Sequence, residues 1–194
     1  MLDVCCGGGR HLAGLSALGY VVTGVERDPG VAQSAREVAP TARVVEGDAT
    51  RLSELVDGPF DGIVCLWASF GYGMPAENAR LLHAMAGLPR PGGKIVLDVY
   101  NKAFFRTRAG TRTIEREGRS IVERTRLDDD RLTSTLDYGS GVEDVFSWQV
   151  FTPDELTAVA QSAGLSPVLA CATFDEAVQA SAEHPRMQLV LAAK

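Results

Sequence analysis

A run of glycines and a carboxylate in the first 26 residues have the types and spacing of a nucleoside-binding site. A short apolar run leads into Gly7-Gly8-Gly9, a helix-sized segment follows, and a second apolar run ends at Glu26. Glycine lets the backbone approach a ligand closely and adopt left-handed φ values. A helix that begins at the turn directs free N–H groups at the ligand. A carboxylate at the end of the second strand can accept hydrogen bonds from both ribose hydroxyls.

The elements that must position these groups alternate along the first hundred residues. Short apolar runs rich in Val and Ile are separated by segments with helical periodicity, which predicts a parallel sheet covered on both faces. The predicted strands lie near residues 1–5, 20–26, 43–47, 60–66 and 93–99, and the helices at 10–18, 30–38 and 76–87, with a short segment near 51–56.

Residues 100–150 lose this rhythm, and apolar and polar residues alternate instead, which predicts an antiparallel insertion of three or four strands. The predicted strands are 111–115, 120–127, 131–138 and 145–151. A helix at 153–163, a strand near 166–173 and a final strand at 187–193 follow. A hairpin around His184-Pro185 would make the final strand antiparallel.

Composition narrows the class of protein. The 194 residues suit one domain, and 45% apolar and 23% charged residues are ordinary for a globular chain. The net charge of -6 argues against a nucleic-acid binder. No apolar run reaches membrane-spanning length, and no leader pattern suggests export. The four cysteines, Cys5 and Cys6 adjacent, indicate a reducing cytoplasm, and no Cys/His spacing predicts a metal site.

The spacing of the glycines distinguishes between nucleotides. In the dinucleotide pattern G-x-G-x-x-G, counted from Gly7, the third glycine would fall on Leu12. The pattern acid-x-G-x-G-x-G fits better, with Asp3 as the acid, Cys5 in the first glycine position, and Gly7 and Gly9 in the others. This segment resembles motif I of the class I S-adenosylmethionine-dependent methyltransferases, especially bacterial members with "LDxCCGxGRH".

Four further segments resemble motifs of that family in the same order. They are residues 44–49, 59–66, 88–97 and 151–165. The resemblance implies a single methyltransferase domain over residues 1–194. Its fold would be α/β and Rossmann-like, with a doubly wound, seven-stranded, mostly parallel sheet, an antiparallel last strand, and the antiparallel β insertion at 100–150. In the family such an insertion covers the acceptor pocket or builds a dimer interface.

The resemblance also implies which residues bind the cofactor, S-adenosylmethionine, and its product S-adenosylhomocysteine. Asp3 would bind the methionine amino group, directly or through water, Glu26 would hold the ribose diol, and Asp48 would accept from the adenine amino group. For each carboxylate the alternative is a helix-cap or turn residue, and for Arg27 a solvated surface side chain. The full set implied is Asp3, Cys5, Gly7, Gly9, Glu26, Arg27, Asp48, Ala49 and Leu66.

The acceptor side is predicted from position, because ligands gather at the carboxyl ends of strands in open α/β sheets. Tyr72 is a candidate base or hydrogen-bond donor, and His184 a weaker candidate base. Plain packing is the alternative for the aromatic residues. The predicted acceptor-binding residues are Trp67, Phe70, Tyr72, Tyr100 and Trp148.

We therefore expect a small cytoplasmic methyltransferase that acts on a small molecule, such as a secondary metabolite, a sugar derivative or an amine. One alternative is an inactive cofactor-binding or dimerisation module. Relatives usually carry one or two helices before the first strand, and here the sequence starts at that strand. A nicotinamide-dependent oxidoreductase is a further alternative. The apolar face formed by Phe146, Trp148 and Val150 also predicts a homodimer through the insertion, with a substrate wall or simple insertion core as alternatives.

Overall fold

The computed structural model describes residues 1–116 and 118–193. The strands are β1 Leu2–Val4, β2 Thr23–Glu26, β3 Arg43–Glu46, β4 Phe60–Cys65, β5 Pro89–Tyr100, β6 Thr111–Arg116, β7 Arg119–Asp128, β8 Arg131–Asp137, β9 Glu143–Gln149, β10 Leu165–Ala172, β11 Asp175–Gln179 and β12 Arg186–Ala193. The helices are α1 Arg10–Ala17, α2 Pro29–Val38, α3 Leu52–Leu55, α4 Pro75–Ala86, α5 Lys102–Arg108 and α6 Pro153–Ser162, and a 3-10 turn at Ala49–Arg51 precedes α3. No helix in these described ranges is long and apolar enough to cross a bilayer.

The main sheet has eight strands within the described residues, in the order β11-β10-β12-β5-β4-β1-β2-β3. Strands β1 to β5 are parallel, and β12 pairs antiparallel with both β5 and β10. The chain order reverses between β1 and β4, so the carboxyl ends of these strands flank a crevice. The predicted doubly wound, mostly parallel sheet is confirmed.

The predicted count of seven strands is one too low, because β11 adds an antiparallel edge strand beyond β10. The chain reverses into β11 at Thr173 and Phe174, both with φ of 58°. Neither residue is a typical left-handed turn former, so no residue pattern predicts this turn. The antiparallel direction of the last strand is confirmed, but the hairpin predicted at His184-Pro185 is not, since these residues only lead into β12.

Helix α5 was not predicted within the insertion. Asn101 caps it, because its side-chain Oδ1 accepts a hydrogen bond from the N–H of Ala103 at 3.1 Å. The helix has seven residues, which is too short for a clear apolar period. It brings the ring of Phe105 to 5.6 Å from that of Tyr100, at the carboxyl end of β5.

The insertion forms a separate antiparallel sheet in the order β6-β7-β8-β9. Leu132 of β8 lies opposite Trp148 of β9. These two side chains and Val150 are buried with Ala68 and Phe105 in one cluster. The apolar face of the insertion is therefore covered by its own chain, as the insertion-core alternative predicts.

Candidate functional site

The turn between β1 and α1 contains two glycines with different roles. Gly7 has a φ of 54° and Gly9 a φ of 83°. A Cβ on Gly9 would lie 2.8 Å from Cα of Ala35, so Gly9 permits the close packing of α1 against α2. A Cβ on Gly7 would meet no atom within 4 Å, because that side of Gly7 faces the open cleft. Gly7 thus borders the ligand space and Gly9 lies beneath it.

Two cavities of about 310 Å³ each flank this turn. Both are bordered by Cys5, Gly7 and Ser69, so they form the two ends of one cleft along the carboxyl ends of the parallel strands. The first, which we call the Glu26 cavity, is further lined by a set that includes Glu26, Arg27, Asp48, Ala49 and Tyr72. The second, the Asp3 cavity, is further lined by Asp3, Cys6, Gly8, Arg10, His11, Leu66 and Trp67.

The carboxylate of Glu26 is fixed at the mouth of the first cavity. Its Oε2 accepts a hydrogen bond from the N–H of Gly7 at 3.1 Å, and its Oε1 accepts from the N–H groups of Arg27 and Asp28 at 2.9 and 3.0 Å. The cap of α2 is Asp28, whose Oδ1 accepts from the N–H of Val31 at 2.9 Å. The helix-cap role therefore belongs to Asp28, and Glu26 can receive the vicinal hydroxyls of a ribose.

Asp48 has the turn role that the sequence left open. Its Oδ1 accepts hydrogen bonds from the N–H and the hydroxyl of Thr50 at 2.8 and 2.9 Å. These bonds lower the pKa of Asp48 and keep it ionised at neutral pH. Asp48 and the buried Ala49 still line the Glu26 cavity, where an adenine ring could meet them.

Asp3 is the most unusual carboxylate of the cleft. Its side chain is 1% exposed, and burial raises its pKa to about 7. The Oδ2 atom is buried and has no hydrogen-bond partner among the described residues, and Asp3 itself borders the second cavity. A buried acceptor without a partner is costly, and a ligand ammonium group would satisfy it.

A strained turn follows β4 and displays Trp67 over the Asp3 cavity. Trp67 and Ala68 have φ values of 56° and 57°, which are uncommon for residues other than glycine. Asp98 holds this turn, because its Oδ2 accepts from the N–H of Trp67 and its carbonyl oxygen accepts from the N–H of Ala68, both at 2.9 Å. Trp67 remains 58% exposed at the mouth of the cavity.

Three predicted acceptor residues meet above the carboxyl ends of β4 and β5, and of these only Tyr72 borders one of the two cavities. The ring of Trp148 lies 5.2 Å from that of Tyr72 and 4.9 Å from that of Tyr100. Burial raises the pKa of both tyrosines above the usual value, and Glu123 adds to the effect on Tyr100. The two phenols are neutral at pH 7, so Tyr72 is a hydrogen-bond donor and not a ready base.

Phe70 and His184 are not brought to the cleft. Phe70 is 1% exposed in the main core, with its ring 5.9 Å from that of Phe151, because the strained turn directs it beneath the cleft. His184 borders neither cavity, and its Nδ1 lies 3.2 Å from the hydroxyl oxygen of Ser181.

The sequence interpretation missed Arg10, Asp98 and Arg186. Asp98 is fully buried, and its Oδ1 accepts from Nε2 of Gln188 at 2.8 Å and from Nε of Arg186 at 3.2 Å. An acid within the apolar run Ile95–Tyr100 was a signal for such a pairing. Arg10 directly follows the glycines in the sequence. Only the fold places Arg10 and Arg186 against the indole ring of Trp67.

Comparison with known proteins finds similarity to methyltransferases. Residues 1–93 match the model of a methyltransferase domain. A ubiquinone biosynthesis O-methyltransferase from Alkalilimnicola ehrlichii is 33% identical over 106 residues, which are 53% of this chain and 42% of that protein. The match thus spans less than half the length of this curated relative.

Solved structures share the fold over nearly the whole chain. The CcbJ methyltransferase from Streptomyces caelestis has a TM-score of 0.82 at 22% identity, covering 100% of this chain and 88% of that one. A sugar N-methyltransferase from a Streptoalloteichus species has a TM-score of 0.68 at 26% identity, and the match covers 97% of this chain and 78% of that one. An amino pentose methyltransferase from Micromonospora echinaspora, solved with bound S-adenosylmethionine, has a TM-score of 0.75 at 24% identity, covering 100% and 82%.

Proposed function

We propose that this chain, which is related to the class I S-adenosylmethionine-dependent methyltransferases in its first 93 residues and in its fold, transfers a methyl group to a small-molecule acceptor. One observation carries the proposal. Two carboxylates, Glu26 and the partly unpartnered Asp3, lie at opposite ends of one cleft, with Gly7 between them. The cofactor carries a ribose diol on one side of its sulfonium and an ammonium group on the other, which matches this arrangement.

The residues of the cleft fit the cofactor group by group. Glu26 would hold the ribose diol, Asp48 and Ala49 the adenine, and Asp3 the ammonium. Gly7 and Cys5 would let the central part of the ligand pass close to the backbone. Arg27 and Leu66 border the two cavities and complete the proposed cofactor set.

When bound, the cofactor supplies a methyl group on a positively charged sulfur, which is already activated for in-line displacement. The protein then needs to align the acceptor so that a free lone pair attacks the methyl carbon, and the proton that an O–H or N–H acceptor loses passes to solvent. Tyr72, Tyr100 and Trp148 would form the acceptor wall, and Trp67 would lie beside it at the mouth of the Asp3 cavity. The Tyr72 hydroxyl would donate a hydrogen bond to an acceptor oxygen or nitrogen other than the atom that is methylated. The insertion at 100–150 would cover the acceptor.

The acceptor is proposed to be a secondary metabolite, a sugar derivative or an amine. Aromatic faces beside a phenol donor suit a compact molecule with apolar faces and polar edges. Relatives named for ubiquinone biosynthesis, sugars and an amino pentose agree with this size and character. They also favour catalysis over an inactive module and over a nicotinamide-dependent enzyme.

Calorimetric titration with S-adenosylhomocysteine, followed by an assay of methyl transfer from labelled S-adenosylmethionine to small amines, amino sugars and quinols, tests this function. We expect one site per chain, and no heat with NAD. Tight binding of NAD in place of S-adenosylhomocysteine would refute the assignment.

We also propose a cytoplasmic homodimer through the insertion. Because Trp148 is covered within the chain, the contact would involve the outer side of the insertion, where Val142 and Val145 are 57% and 63% exposed. Light scattering at high micromolar concentration should give a dimer, and Val145→Glu should give a monomer that still binds S-adenosylhomocysteine. A wild-type chain that is monomeric under these conditions refutes the dimer.

A further inference from the structure

Two guanidinium groups meet at one indole ring beside the Asp3 cavity. The central carbon of the Arg10 guanidinium lies 4.5 Å from the ring centroid of Trp67, and that of Arg186 lies 4.4 Å from it. Arginine stacks well on aromatic faces, and such contacts fix the plane of the guanidinium. Arg10, Trp67 and Arg186 therefore form an ordered cationic cluster, which we call the Trp67 stack.

The two arginines differ in their partners. Arg186 forms an ion pair with the buried carboxylate of Asp98. Arg10 has neither an ion pair nor a side-chain hydrogen bond within residues 1–116 and 118–193. Burial, and then the charge of Arg10, lower the pKa of Arg186. The stack thus holds one positive charge more than its own carboxylate balances.

The position of Arg10 directs this excess charge into the cleft. Arg10 lines the Asp3 cavity with His11, at the first turn of α1. In the described part of the chain, no side chain caps α1, so free backbone N–H groups reinforce the positive potential there. The same cavity is bordered by Asp3, whose buried Oδ2 has no hydrogen-bond partner among the described residues. It offers places for both a cation and an anion.

We propose that Arg10, stacked on Trp67 and backed by Arg186, binds an anionic oxygen group, a carboxylate or a phosphate, at the mouth of the Asp3 cavity. The planar fork of the guanidinium suits either group. The anion has two possible sources, the α-carboxylate of the cofactor and an anionic group on the acceptor. The first source rests on the proposed function. It is favoured because the amino and carboxylate groups of an α-amino acid share one carbon and would reach Asp3 and Arg10 together.

Calorimetry with two nucleosides tests the cofactor source. S-adenosylhomocysteine carries the α-carboxylate, and 5′-methylthioadenosine lacks the whole amino-acid portion. Arg10→Ala should weaken binding of S-adenosylhomocysteine by about tenfold or more, as expected for a charge-assisted pair. It should leave 5′-methylthioadenosine unchanged. Arg80→Ala, which removes an exposed arginine of α4, is the control and should change neither affinity.

Pyrophosphate tests the acceptor source. If Arg10→Ala leaves S-adenosylhomocysteine unchanged, pyrophosphate titrated at low salt should bind the wild type and Arg80→Ala but not Arg10→Ala. Weaker binding of S-adenosylhomocysteine or loss of pyrophosphate binding in Arg10→Ala supports the anion site. If Arg10→Ala changes the binding of neither ligand, the anion site is refuted. A wild type that binds no S-adenosylhomocysteine refutes the cofactor assignment, and the pyrophosphate titration of the free protein then decides on the anion site.

Discussion

The nucleoside end and the acceptor end of the cleft are built in different ways. At the nucleoside end, most of the residues proposed to bind the cofactor come from one continuous stretch, residues 3–49, and they use a backbone turn and carboxylates at strand ends. The acceptor end combines Tyr72, Tyr100 and Trp148, which belong to elements far apart in the chain. Polar geometry defines the first end, and aromatic packing defines the second.

Because the two ends are built from different parts of the chain, they should respond separately to substitution. A change at the turn should remove cofactor binding with little effect on the insertion. A change in the aromatic wall should alter methyl transfer and leave the cofactor in place. Substitutions at each end test that separation.

Gly7→Val should abolish binding of S-adenosylhomocysteine. The branched side chain would enter the cleft and would also be strained at a φ of 54°. Gly14→Val is the matched control, because Gly14 faces open space on α1 and has no left-handed φ. Calorimetry together with circular dichroism separates loss of binding from loss of folding. A folded Gly7→Val protein with normal affinity would show that the turn does not border the ligand.

Asp3→Asn should weaken the binding of S-adenosylhomocysteine by about 10- to 100-fold, because the substitution removes a charged partner of the ligand's ammonium group. It should also stabilise the free protein. The pKa of Asp3 is about 7 when folded and near 3.9 when unfolded, so the wild type loses stability as pH rises from about 4 to 7, and that loss remains above pH 7. Without ligand at pH 8, Asp3→Asn should raise the Tm by a few degrees.

The same residue predicts a pH dependence of binding. Wild-type affinity for S-adenosylhomocysteine should rise between pH 6 and pH 8 as Asp3 loses its proton, and the affinity of Asp3→Asn should stay flat. A flat wild-type profile, or an unchanged Tm of the variant, would remove Asp3 from the ammonium site.

Glu26→Ala should weaken cofactor binding by about 1.5–3 kcal/mol through loss of charge-assisted hydrogen bonds to the ribose. The chain should remain folded, because Asp28 and not Glu26 caps α2. Glu37→Ala, at an exposed position of the same helix, is the control. Unchanged affinity by calorimetry would leave Glu26 as a structural turn residue.

Tyr72→Phe should have the smallest effect on the cofactor. Affinity for S-adenosylhomocysteine should change less than about twofold, and the rate of methyl transfer should fall about five- to tenfold with the loss of one hydrogen bond. Tyr20→Phe, at the opposite end of the sheet, is the control. Equal losses in affinity and rate would contradict the separation of the two ends.

Features that depend on residues close together in the chain could be predicted from the sequence. The periods of the strands and helices, the glycine turn and Glu26 are local patterns, and the structure contains each of them in place. The sequence also predicted the insertion strands, since alternation is visible within each strand. A turn role was one of the two interpretations of Asp48. An acid two residues before Thr50 is a common turn arrangement, and the structure contains it.

The contacts that join distant elements were not predictable. Arg10, Asp98 and Arg186 come from α1, β5 and β12, and their contacts depend on how the sheet orders those strands. Phe70 follows the left-handed turn at Trp67 and Ala68, which reverses the expected direction of the side chain. Without glycine at those two positions, the turn had no sequence signal.

Crystals soaked with S-adenosylhomocysteine test the proposed cofactor site most directly. We predict difference density along the cleft, with the ribose hydroxyls within hydrogen-bond distance of Glu26, the ammonium at Oδ2 of Asp3 and the purine beside Ala49. Density in the reverse orientation, or a ligand bound outside the two cavities, would contradict the assignment of the cleft.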